Sequence, residues 1–121
     1  DDLDLPEVGG NLIIEGAGGI MVPVNSNGLT FADIIERWNL PTIVVSRHYL
    51  GSINHTLLTL EVLQSRGVII EGLVFVGAEN KATEEIILKS TGVKFLARIP
   101  MAKELNKTFV LEQAESIISL L

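Results

Sequence analysis

The constraint that most limits the fold is an alternation. Short apolar runs without internal polarity are separated by longer stretches with helical spacing and capping residues. "TIVVS" (residues 42–46), "IEGLVFVG" (70–77) and "KFLARIP" (94–100) each have the length and branched content of a strand. Between them lie residues 53–66, where Ile53, Leu57, Leu60 and Leu63 recur at helical spacing before Gly67. "NKATEEIILKSTG" (80–92) follows, opening on Asn and closing on Gly. Upstream, "NLII" at residues 11–14 reads as one more buried strand ending at Glu15. Thr30 to Asp33 carries a capping-box pattern opening a helix to Trp38, which Leu40-Pro41 ends. Residues 109–121 read as a closing helix with Glu112 near its start. Strand, helix, strand, helix predicts an α/β fold: a parallel sheet with helices on both faces.

Composition narrows the function. The 121 residues suffice for one domain and one core. Residues 1–10 are acidic and end in Gly9-Gly10, a linker-like lead-in, so the domain is expected over 11–121. A net charge of −6 argues against nucleic acid and against an anionic membrane surface. Mean hydropathy is +0.41, high for a soluble chain. No apolar run approaches the ~18 residues of a membrane span, so that excess is expected in a core or an interface. There is no cysteine, hence no disulfide or thiolate zinc site, which fits a cytoplasmic protein.

Three segments are candidates for chemistry. The first is Glu15 followed by Gly16-Ala17-Gly18-Gly19. A carboxylate at the C-terminal end of a strand lies where open α/β sheets bind ligands. It suits Mg²⁺, which is commonly held by one or two carboxylates plus substrate phosphates. The glycines let backbone approach a phosphate. The plain alternative is a tight turn with Glu15 as a local cap. The second is "SRHYLGSINHTLLTL" (46–60), which places Arg47, His48, Tyr49, Ser52 and Asn54 at a loop and a helix start. A helix N-terminus attracts anions; alternatively Ser52 or Asn54 is simply the N-cap. His48 is a candidate general base, weighed against the commoner solvated loop histidine. His55 reads as a packing or capping residue, and Trp38 as a core aromatic. The third, "VFVGAEN" (74–80), is a strand end that either borders a base pocket or is an ordinary turn. No G-x-x-x-x-G-K-[ST] occurs anywhere in the chain. The residues alone lead to half of an anion- or nucleotide-binding α/β domain.

"NLIIEGAGGIMVPVN", "PTIVVSRHYLGSINHTLLTLEVLQSRGV", "IEGLVF" and "TGVKFLARIP" resemble, in that order, the C-terminal half of dethiobiotin synthetase. The resemblance begins at about Asn11 and covers nearly all that follows. It implies a P-loop-NTPase-like domain and a homodimer of biotin synthesis. That enzyme uses ATP, Mg²⁺ and CO₂ to close a cyclic urea on diaminopelargonic acid. By motif, Glu15 matches the Mg²⁺ ligand, and Glu15, Gly16, Ala17 and Gly18 match the loop beside the nucleotide phosphates. Val76 and Gly77, with Pro100, Met101 and Ala102, match the adenosine end. Leu50, Gly51, Ser52 and Asn54 match the segment holding the substrate carboxylate across the dimer interface. Two departures accompany the match. Val76-Gly77 stands where the family carries an adenine-reading Asn, so weak base selectivity is expected. The family's P-loop, its lysines and its other acidic Mg²⁺ ligand would lie upstream of Asp1, so an N-terminal half is expected and this chain alone is expected to be inactive; the alternatives are a non-catalytic remnant that keeps the dimer surface, or another P-loop amidotransferase or ligase relative, which the motif "LGSINHTLLTL" disfavours.

Overall fold

The computed structural model describes residues 4–119. Helix α1 spans Phe31–Trp38, strand β1 Thr42–Arg47 and helix α2 Ser52–Ser65. Strand β2 spans Ile70–Val76, helix α3 Lys81–Thr91, strand β3 Phe95–Ile99 and helix α4 Lys107–Ile118. The three strands form one sheet in the order β1-β2-β3. Both pairings are parallel, with Ser46 beside Phe75 and Val76 beside Ile99. The α/β reading and its strand–helix alternation therefore hold from residue 30 onward.

Local chemistry explains the boundaries. Thr30 and Asp33 form the expected reciprocal box: the Asp33 amide donates to Thr30 Oγ1 at 3.2 Å, and the Thr30 amide donates to Asp33 Oδ2 at 2.7 Å. Asn39, in the left-handed region, ends α1. Asn80 Oδ1 accepts from the Thr83 amide to start α3, and Gly92 closes that helix. Helix α4 starts two residues before the expected position, because Asn106 Oδ1 accepts from the Phe109 amide at 2.9 Å and so caps at Lys107. The expected end of that helix, Leu120 and Leu121, lies outside the described residues.

Two expectations are corrected. Residues 11–15 are not a strand. Ladder hydrogen bonds need a neighbouring strand, and among the described residues the segment pairs with none, leaving Ile13 92% exposed. The buried stripe of α2 is also shifted. It runs Ser52, Thr56, Leu60, Leu63, while Ile53 is exposed and Leu57 only half-buried. The cause is a polar contact under the first turn: the Ser46 and Thr56 hydroxyls meet at 2.7 Å in a buried position, turning Thr56 rather than Leu57 toward the sheet.

The core sits between the sheet and the helices α2 and α3. Val44, Leu73 and Phe75 face Leu60, Leu63 and Ile87. Burying five of these side chains almost completely is worth about 1.5–3 kcal/mol each relative to exposure. Only alternate residues of β1 are buried, because this edge strand is covered on one side. Ile43 and Val45, pointing the other way, are 54% and 64% exposed. One glycine is dictated by packing: a Cβ on Gly72 would collide with the Leu96 side chain and stand 2.8 Å from the Lys94 carbonyl oxygen. Strands β2 and β3 approach each other too closely there for any side chain.

Candidate functional site

The C-terminal ends of all three strands open onto one cleft of about 330 Å³. Arg47 and His48 reach it from β1, Val76 to Asn80 from β2 and the turn into α3, and Met101 from beyond β3. That is the crevice where open parallel sheets hold ligands. It unites three residues of the expected nucleotide set: Val76, Gly77 and Met101. Pro100 and Ala102 flank Met101 without lining the cleft.

Below this cleft lies a network not anticipated from the sequence. Glu84, on the first turn of α3, is only 5% exposed. Arg98 from β3 grips it with two nitrogens; Nε donates to Oε1 at 2.8 Å and Nη2 to Oε2. His48 Nε2 lies 2.9 Å from Oε1, and the Asn80 amide donates to the same oxygen at 3.3 Å. Arg98 also pairs with Glu79 at 3.3 Å. Arg98's hydrogen bonds are the main cause holding the Glu84 carboxyl at about 2, against a burial that pushes it upward, with His48 and the Asn80 amide also lowering it. An ionised carboxylate only accepts hydrogen bonds, so His48 Nε2 carries the proton of that contact.

His48 is therefore not the solvated loop side chain that its isolation in the sequence favoured. Its side chain is 12% exposed and its ring stacks on Phe75, with centroids 5.3 Å apart. Gly77 lies against it; a Cβ there would touch the imidazole at 3.6 Å. Nδ1 is buried without a partner among the described residues. The signal for this network was faint: Glu84 is one of two adjacent glutamates, and Arg98 interrupts an otherwise apolar strand.

A second, smaller cleft of about 110 Å³ lies beside β1 and the start of α2, lined in part by Ser52, Tyr49, His55 and Thr56. Of the four residues expected to hold a carboxylate, it takes only Ser52. Leu50 is fully exposed, and Asn54 lines neither cleft. Neither Ser52 nor Asn54 caps α2. Gly51 is the N-cap and gives no side-chain bond, so the amides of the first turn are not covered by a capping side chain. His55, read as a packing or capping residue, meets the Tyr49 hydroxyl through Nδ1 instead.

The Gly-rich segment stands apart from both clefts. Gly16 packs over the Phe31 ring, and the loop is tied to α1 by the Ala32 amide donating to the Ile20 carbonyl at 2.8 Å. Gly18 and Gly19 have φ of 79° and 113°, which only glycine adopts freely. Glu15 is exposed and makes no hydrogen bond or ion pair within the described residues, so its carboxylate is available to a hard cation. Among the described residues no group of three or more His, Asp or Glu is gathered for a metal. No described helix is long and apolar enough to cross a membrane.

A parallel sheet with its cleft at the strand ends defines an open α/β domain, and the family match makes it P-loop-NTPase-like. A family model described as an AAA domain matches residues 2–108, and the chain belongs to that family. The more particular likeness is to ATP-dependent dethiobiotin synthetases. That of Rhodopseudomonas palustris (strain BisB18) is 45% identical over 107 residues, 88% of this chain and 51% of the relative. That of Cytophaga hutchinsonii is 46% identical over 109 residues, and that of Christiangramia forsetii 48% over 110, each covering 52% of the relative. The chain spans about half the length of the curated relatives it matches.

Proposed function

We propose that this chain is the C-terminal portion of a single synthetase domain, with residues 1–10 as lead-in and 11–121 as the domain part. It serves the ATP-dependent closure of diaminopelargonic acid and CO₂ to dethiobiotin. The observation that carries the proposal is the match to dethiobiotin synthetases at 45–48% identity over about nine-tenths of the chain. The strand-end cleft supports it as a nucleotide site.

In this reading the cleft of Val76, Gly77 and Met101 takes the base end of ATP. Glu15 is a Mg²⁺ ligand, and the loop from Glu15 to Gly18 brings backbone close to the phosphates; when bound, the ion would offset phosphate charge. Leu50, Gly51, Ser52 and Asn54 take the substrate carboxylate across a homodimer interface. The uncapped start of α2 is the physical reason they suit an anion. The reaction joins CO₂ to one amine as a carbamate, phosphorylates the carbamate with ATP and lets the second amine displace phosphate. What this chain supplies is positioning and charge compensation, the dominant contributions in phosphoryl transfer. The phosphate-cradling lysine would come from a further segment. A cytoplasmic setting fits the cysteine-free sequence.

The test is an assay of the full-length protein with diaminopelargonic acid, bicarbonate, Mg²⁺ and ATP, following dethiobiotin by mass spectrometry. Product that requires all four supports the reading. ATP hydrolysis without ring closure would overturn the substrate assignment.

A further inference from the structure

The cleft depends on three loops that follow three different strands. A single buried carboxylate ties two of them to strand β3. Glu84 takes His48 from the end of β1, the Asn80 amide from the turn after β2 and Arg98 from β3. His48 and Asn80 line the cleft; Glu84 and Arg98 do not. A buried ion pair is a poor source of net stability, because desolvation offsets most of the attraction. What this arrangement supplies is geometry. The imidazole is held at two points, by its Nε2–H on Glu84 and by its face on Phe75, with Gly77 against it. The Val76 side chain beside it has no group to hydrogen-bond a base, so the shape of this wall helps decide how a base sits.

We infer that Glu84, braced by Arg98, is the positioning residue of the cleft, acting through His48 and Asn80 to hold the strand ends at the spacing a nucleobase requires. This rests on reading the cleft as the nucleotide site. Loss of Glu84 weakens nucleotide binding, while the chemistry, which occurs at the phosphate end, proceeds normally once the site is filled.

The experiment is calorimetric titration of the full-length protein with Mg·ATP, paired with steady-state kinetics and thermal melts, for the parent, Glu84→Gln and Ile87→Ala. Ile87 is buried on the same helix but belongs to the core. Partners that orient metal ligands typically matter by about 10–100-fold; by the same positioning logic, Glu84→Gln is expected to raise the ATP Kd and KM about tenfold, with kcat at saturating ATP little changed. Ile87→Ala is expected to melt earlier and bind ATP as the parent does. Should Glu84→Gln fail to fold, Arg98→Gln is read the same way, since Arg98 is partly exposed and reaches the cleft wall only through its acidic partners. A lowered melting temperature with parental ATP affinity would reduce Glu84 to a structural role and overturn the inference. A parent that binds no ATP would instead overturn the nucleotide reading of the cleft, and the inference with it.

Discussion

The Gly-rich loop at residues 15–19 and the strand-end cleft are built in opposite ways. The loop holds its shape through backbone: positive-φ glycines and amide bonds to α1, with Glu15 at its start exposed and without a partner among the described residues. The cleft is held by side chains, through a buried carboxylate with three partners beneath it. On the proposed function, these are two ways to prepare a charged ligand site. One leaves a carboxylate solvated and free, so that a cation completes it. The other consumes its carboxylate in the protein, so that the surrounding wall becomes rigid. Mutations in the first should change activity and leave folding intact; in the second, folding, acid response and binding should move together.

The largest expected effect breaks the contrast at the loop. Glu15→Ala in the full-length protein should lower Mg²⁺-dependent turnover by about 100-fold, the order seen when one preorganised charge contact is lost. Its melting temperature should stay put, because an exposed side chain without partners contributes little to folding. Diaminopelargonic acid binding should fall much less than turnover. Equal loss of both, measured by kinetics and titration, would remove the metal-ligand assignment. Next is the close β2–β3 approach at Gly72, near the opposite end of the strands from the cleft. Gly72→Ala should destabilise by about 2–3 kcal/mol in urea unfolding, since the methyl meets the Leu96 side chain and the Lys94 carbonyl.

The smallest effect sharpens the contrast through pH. Glu84's carboxyl is lowered from 4.5 to about 2. A depressed carboxyl adds stability that is complete above its unfolded value and disappears as pH falls through the folded one. The parent should therefore lose this contribution between about pH 4.5 and 2. Glu84→Gln, with nothing there to titrate, should show a shallower acid limb, the two curves converging toward pH 2. Asp33, lowered from 3.8 to about 2 chiefly by Thr30, titrates in the same window in both proteins and so cancels in the comparison. Parallel acid limbs in chemical denaturation would show that the Glu84 network does not contribute in solution.

Much of this was legible in one dimension, and the reason is locality. The Thr30–Asp33 box, the Asn80 and Gly92 caps and the apolar runs of the three strands act over a few residues, so type and order alone determine them. Val76, Gly77 and Met101 were grouped by the resemblance of their motifs to the synthetase family; they meet in the structure because parallel strands end on the same side. The match of motifs to a known synthetase family was likewise available from residue order.

What only the tertiary structure decided involves partners far apart in the chain. Residues 11–15 have the composition of a strand, yet pairing depends on a neighbour, which no intrinsic preference can supply. His48 looked solitary because its partner Glu84 is 36 residues away. The stripe of α2 turned on a Ser46–Thr56 contact across an element boundary. The sequence by itself determined the three strands of the sheet, the Thr30, Asn80 and Gly92 caps and the α/β class, because those depend on nearest neighbours and apolar spacing. The tertiary structure alone decided which carboxylate stays free and which is buried, because the ionisation and reach of a charge depend on what the fold brings within about 3 Å of it.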